Sequence, residues 1–228
     1  RILTDRISSW LFAPTQAAAE HLENEGIDPA MVHRVGDVMY DVALQHGSRV
    51  SSEGGLLGRL GLEPQGYVLA TVHRAENTDS PHRLTTIVDA LEATARNTRV
   101  VWPLHPRTRA ILRDAGRLDA LAAKVQLIDP VGYLEMVQLE KYAALIATDS
   151  GGVQKEAFFH GVPCITLRNE TEWVELVESG WNRLAPPDDA QHLFEALRTG
   201  RGSIGKPVKP YGDGHAARAI AEKLAEMS

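Results

Sequence analysis

The side chains best suited to chemistry in this chain cluster between Asp149 and Glu156, in the run Leu-Ile-Ala-Thr-Asp-Ser-Gly-Gly-Val-Gln-Lys-Glu that begins at Leu145. A short apolar stretch meets Asp149, Ser150, Gly151 and Gly152, and a helical pattern follows (Val153, Ala157, Phe158). Strand, glycine turn and helix in that order suit a nucleotide diphosphate. The glycines let the anion approach the backbone, the first helical N–H groups are free donors, and the helix dipole favours negative charge there. Glu156, about one helical turn further on, cannot be meant for a phosphate, but a carboxylate there could accept hydrogen bonds from a ribose diol. The same residues would equally make a tight strand-to-helix turn in which Ser150 is only a good N-cap. Both readings stand on this stretch alone.

Two more stretches add titratable and cationic groups. His73 beside Arg74 pairs a proton donor with a fixed cation, suited to a phosphate or a departing diphosphate. His105 precedes Pro106, which holds its backbone extended; it could be a second donor or merely a capping side chain. The remaining histidines are scattered without metal-ligand spacing, so no metal site is expected. The single cysteine, Cys164, excludes an internal disulfide framework, and its apolar surroundings (Pro163 to Leu167) point to a buried structural thiol.

These residues need a scaffold. From Tyr67 onward, apolar runs of strand length alternate with helical patterns, ending with a strand at Arg183 to Ala185 and a helix behind it. That alternation predicts βαβ units and a parallel sheet, an α/β Rossmann-like domain over about residues 66–200. Ligands bind at the carboxyl ends of such strands. The successive strand ends carry Thr71-Val72-His73-Arg74-Ala75-Glu76-Asn77, His105-Pro106-Arg107, Asp129-Pro130-Val131-Gly132-Tyr133, Asp149-Ser150-Gly151-Gly152 and Arg168-Asn169-Glu170-Thr171-Glu172. Each loop alone could be solvated surface; their convergence on one edge argues for a site.

Ahead of this domain, residues 1–46 read as helix, strand, helix, strand and helix, with Thr15 capping the helix from Gln16 and Gly26 ending it. The Ser/Gly-rich stretch 47–65 is the expected linker. Residues 201–228 read as a loop, a Tyr211-Gly212-Asp213-Gly214 turn and a last helix, expected to pack back toward the N-terminal domain. The chain opens at Arg1 inside an amphipathic pattern without a cap, as if in the middle of a helix. It is therefore expected to be the C-terminal part of something longer.

Composition narrows the class. At 43% hydrophobic and 24% charged residues the 228-residue chain has an ordinary globular balance. A net charge of -6 argues against a nucleic-acid partner. No apolar run approaches the roughly 18 residues needed to span a membrane, and no signal peptide is visible; a cytoplasmic protein is expected.

Taken together, the loops resemble the non-hydrolysing UDP-N-acetylglucosamine 2-epimerase family. The matching pieces are Thr71 to Asn77, His105-Pro106-Arg107, Asp129-Pro130 with Tyr133-Leu134, Asp149 to Glu156, Val35-Gly36-Asp37 and Tyr211 to Gly214, in order and over nearly the whole chain. The resemblance implies a GT-B-like fold of two Rossmann-like domains, of which residues 1–46 would be the tail end of the first. It implies inversion at C2 of a UDP-2-acetamido sugar by elimination and re-addition of UDP, with no cofactor, and a homodimer when full length. Carried over residue by residue, it makes His73 catalytic, and Arg74, His105, Ser150, Gly151, Gly152 and Glu156 UDP-binding. Uracil would lie against the 129–136 loop, near Val131 and Met136. Two departures, Ala75 in place of an arginine and Trp173-Val174 in place of Arg-Pro, look more like archaeal members and the branch acting on UDP-2,3-diacetamido-2,3-dideoxy-glucuronate. The family's proton-transfer carboxylates belong upstream of Arg1, so residues 1–228 alone are expected to bind UDP without turning over the sugar. The competing readings are a GT-B glycosyltransferase, which would need an acceptor, and a non-catalytic UDP-sugar-binding module.

Overall fold

The computed structural model describes residues 1–226. Arg1–His46 and the chain from Pro207 onward form one compact unit, and Gly47–Lys206 a second. In chain order the elements of the first segment are α1 (Ile2–Ile7), β1 (Leu11–Ala13), α2 (Gln16–Asn24), β2 (Val32–Arg34) and α3 (Val38–Gly47). Strands β1 and β2 pair in parallel. Thr15 caps α2 by accepting from Ala18 N at 3.1 Å, and Gly26 takes the left-handed backbone (φ +80°) that lets the chain leave the helix.

The second unit holds α4 (Gly55–Leu60), β3 (Tyr67–Thr71), α5 (Ala75–Thr78), α6 (Pro81–Thr94), β4 (Arg99–Pro103), α7 (Pro106–Asp114), α8 (Leu118–Ala122), β5 (Gln126–Ile128), α9 (Tyr133–Lys141), β6 (Leu145–Thr148), α10 (Gly151–Phe159), β7 (Cys164–Thr166), α11 (Val174–Glu178), β8 (Asn182–Leu184) and α12 (Ala190–Gly200). Its six strands are all parallel, in the order β5-β4-β3-β6-β7-β8. This is the doubly wound order, which reverses direction between β3 and β6 and opens a crevice there.

The sheet is covered on both sides, so its central strands β3 and β6 are buried at every position and apolar up to their closing threonines, Thr71 and Thr148. Alternation then sorts the side chains by face. Val68, Ala70, Val100, Trp102, Leu145 and Ala147 join one core cluster, with Ile87 and Leu91 of α6. Tyr67, Leu69, Val101 and Ile146 join the other, with Leu139 of α9 and Ala157 of α10. Cys164 lies in the second cluster, and burial pushes its thiol up to about 12.

The stretch 47–65, expected as a linker, belongs to the second unit and contains α4. Leu56, Leu57 and Leu62 are buried against the α9–α10 face, each such burial being worth roughly 1.5–3 kcal/mol. Polar side chains of α9 satisfy its backbone: Gln138 accepts from Leu56 N at 2.9 Å and donates to Ser51 O at 2.8 Å, and Lys141 donates to Gly47 O at 2.6 Å. Ser and Gly composition suggests freedom; partners more than eighty residues away in sequence remove it.

The last helix, α13 (Ala216–Glu226), is held within the first unit. Its first N–H groups, Ala216 N and Ala217 N, donate to the Asp41 carboxylate at 3.0 and 2.8 Å. The Val35-Gly36-Asp37 and Tyr211-Gly212 stretches meet here. Asp37 N donates to Tyr211 O at 3.0 Å, and a Cβ on Gly36 would stand 2.8 Å from that oxygen. Only glycine fits so close an approach at its φ of +89°.

Candidate active site

Asp149, at the end of β6, is fully buried and faces the loop after β3 across the crevice. It accepts from His73 N at 3.1 Å, Arg74 N at 3.0 Å, Asn77 Nδ2 at 3.1 Å and His73 Nδ1 at 3.2 Å. Burial pushes its carboxyl up, but the donors from His73, Arg74 and Asn77 outweigh that and hold it below the usual carboxylate range. The same bond, chiefly, raises the His73 imidazole above an ordinary histidine's value against the opposing effects of burial and Arg74. With Nδ1 tied to Asp149, the ring directs Nε2 away from the carboxylate, and its side chain is half exposed. Asn77 also donates to Leu167 O at 3.0 Å and accepts from Arg83 Nε at 2.9 Å, which ties the β3 loop to the end of β7.

The neighbouring strand ends supply an apolar recess. Thr71, Val72, His73, Pro103, His105, Pro130, Val131, Met136 and Val153 line a cavity of about 260 Å³. Of the residues expected from sequence, the structure brings His73, His105, Val131 and Met136 together in it. Arg74, Ser150, Gly151, Gly152 and Glu156 lie outside its lining. His105 acts as the N-cap of α7, its Nδ1 accepting from Arg107 N at 3.2 Å.

Beside the recess stands the N-terminus of α10. Ser150 N donates to Thr148 Oγ1 at 2.9 Å and its hydroxyl accepts from Val153 N at 3.5 Å, so Ser150 is the N-cap of α10. The first-turn N–H groups of any helix lack intrahelical acceptors, so those of Gly151 and Gly152 keep their anion-binding character. Glu156, further along α10, accepts a hydrogen bond from the Tyr133 hydroxyl. Burial raises its carboxyl above the usual range, opposed by Tyr133 and by the Lys155 charge.

Sequence reasoning singled out His73 but not the buried carboxylate that orients it. Asp149 was visible as the residue before Ser150, and strand adjacency of β3 and β6 was the missing information. Tyr133 as the partner of Glu156 and Glu172 beside Gly151 were likewise not foreseen.

Comparison with known proteins settles the relationship: residues 1–225 match the model of the family described as UDP-N-acetylglucosamine 2-epimerase. The chain belongs to that family. It is 49% identical, over its whole length and 62% of the relative's, to a UDP-2,3-diacetamido-2,3-dideoxy-D-glucuronate 2-epimerase of Pseudomonas aeruginosa. It is 42% identical to a UDP-N-acetylglucosamine 2-epimerase homolog of Methanococcus maripaludis, over all of this chain and 63% of the relative. A crystal structure of the Methanocaldococcus jannaschii UDP-GlcNAc 2-epimerase with UDP-GlcNAc and UDP superposes with a TM-score of 0.87 at 38% identity, covering 99% of this chain and 63% of that one. The fold class is therefore α/β and GT-B-like, as the loops suggested, and the chain spans somewhat under two thirds of these relatives. No helix among this family member's described residues is long and apolar enough to cross a membrane.

Proposed function

We propose that the full-length protein is a UDP-2-acetamido-sugar 2-epimerase and that this chain carries the nucleotide half of its site. The observation that supports this most is the Asp149–His73 pair at the sheet's reversal point, next to the anion-binding start of α10. Uracil enters the recess by Val131 and Met136, where His105 also stands. The Glu156 carboxylate holds the ribose diol, and Ser150, Gly151, Gly152 and Arg74 hold the diphosphate. Loss of the C2 proton with cleavage of the C1–O bond gives a glycal and UDP; return of a proton to the opposite face of C2, with UDP re-adding to C1 on its original face, gives the C2 epimer. His73, kept protonated by Asp149, gives its Nε2 proton to the departing β-phosphate oxygen and takes it back on return. The chain's own residues need no cofactor for this step. None of this chain's residues is assigned as the base for the C2 proton.

The uronate branch is favoured as the substrate class by the 49% identity to the Pseudomonas enzyme and by Ala75 and Trp173-Val174. A homodimer and a cytoplasmic location belong to the same proposal; light scattering on the full-length protein checks the first. Incubating that protein in heavy water with UDP-GlcNAc or its diacetamido-glucuronate counterpart, without acceptor, should place deuterium at C2. His73→Ala should lower kcat by roughly 10²–10⁴ while UDP affinity stays within about twofold, as measured by calorimetry. No exchange with either sugar would sink the epimerase reading, and undiminished turnover in His73→Ala would remove His73 from the chemistry.

A further inference from the structure

The sheet edge orders the ligand. The recess lies over β5, β4 and β3, the anion-binding turn follows β6, and the next strand end is that of β7. A UDP-sugar with its base in the recess and its diphosphate on α10 must therefore lay its hexose toward the 168–173 loop. That loop places Glu172 against the turn: a Cβ on Gly151 would stand 2.5 Å from Glu172 Oε1, so the absence of a side chain at Gly151 is what admits the carboxylate. Arg168, itself buried, holds Oε2 at 2.8 Å, while Arg74 Nη2 stays 3.8 Å from Oε1, beyond hydrogen-bond reach. The loop is tied down from the other side as well. Trp173 Nε1 donates to Gly151 O at 2.9 Å, and the Lys155 ammonium lies 4.4 Å from the centre of the Trp173 ring. Glu172 is thus a fixed carboxylate with one oxygen turned to the turn and its side chain 44% exposed.

Resting on the UDP-sugar reading above, we propose that Glu172 is a specificity-determining residue that reads the hexose, accepting a hydrogen bond from a sugar hydroxyl or acetamido N–H. A carboxylate so near the start of α10 opposes the diphosphate, so it cannot serve UDP itself. Its value lies in the part of the ligand that UDP lacks. Arg168 contributes through Glu172, as a positioning residue, by fixing the direction of Oε2.

The test compares two ligands on the full-length protein. Glu172→Gln keeps the shape and removes the charge. It should raise the KM for UDP-GlcNAc, or for the diacetamido-glucuronate if that is the sugar turned over, about tenfold, while the Kd for UDP measured by calorimetry is unchanged or tighter. Glu172→Asp, which retains the charge on a shorter arm, should show the same split to a smaller degree and serves if the glutamine variant does not fold. Equal weakening of UDP and UDP-sugar would make Glu172 a structural prop of the loop and overturn the proposal, as would an unchanged KM. A wild-type protein that fails to bind UDP would instead overturn the underlying functional reading.

Discussion

Asp149 at the crevice and Glu140 between α9 and the sheet are carboxyl groups with no solvent exposure, and the structure treats them in opposite ways. Asp149 receives donors from His73, Arg74 and Asn77 and is held below the usual carboxylate range. Among the described residues neither oxygen of Glu140 has a hydrogen-bond partner; burial, with the nearby Glu156 charge, holds its carboxyl well above that range. Glu156 falls between them, half-buried with the Tyr133 hydroxyl as donor and raised less far. Burial pushes all three carboxyls up, so the donors supplied by neighbouring groups set the difference. The functional edge of the sheet is where such donors converge, and the packed interior behind it is where they are missing.

Removing the satisfied group is expected to have the largest effect. Asp149→Ala takes the shared acceptor from the part-buried His73 and Arg74 N–H groups and from the buried Asn77 amide, and should cost about 3–5 kcal/mol in urea unfolding. The His73 imidazole should then titrate lower by NMR. The pH dependence of the pair follows from the two directions. The Asp149 contribution is present above its unfolded pKa and lost as pH falls through its lowered folded value. The His73 contribution is present below its unfolded pKa and lost as pH rises through its raised folded value. An Asp149→Ala protein with unchanged stability and an unchanged His73 titration would erase the contrast.

The intermediate case should show in binding. Glu156→Ala should weaken UDP by roughly 1.5–3 kcal/mol, the size of a charged hydrogen bond, when followed by calorimetry. With the ionised form accepting from the ribose, as proposed, wild-type affinity should also fall as pH drops through the raised Glu156 pKa. Affinity unaltered by the substitution would remove Glu156 from the ribose.

The smallest effect has the opposite sign. Glu140→Met, similar in volume and without a polar group, should stabilise the protein by about 1–3 kcal/mol at neutral pH. A raised carboxyl makes the native state bind the extra proton, so wild-type stability should decline as pH rises from the ordinary carboxylate range toward the Glu140 value. Glu140→Gln should abolish that slope while keeping a buried polar group, which separates charge from polarity. A destabilised Glu140→Met protein would mean that Glu140 has a partner in solution.

The amino-acid sequence by itself determined the alternation of strands and helices from Tyr67 onward, the parallel sheet, and the loops at its carboxyl edge. Those features follow from apolar periodicity and from turn residues, which act within a few positions of one another. The places of His73, Ser150 and Glu156 on the fold were legible for the same reason, each sitting at a strand end or about one turn into a helix. Only the tertiary structure decided what those groups face. His73 is oriented by a carboxylate 76 positions away, the stretch around α4 is fixed by Gln138 rather than left as a linker, and Glu172 reaches the turn at Gly151. Hydrogen-bond satisfaction of a buried group depends on which strands lie side by side, and the order β5-β4-β3-β6-β7-β8 is a property of the folded sheet that local pattern does not contain.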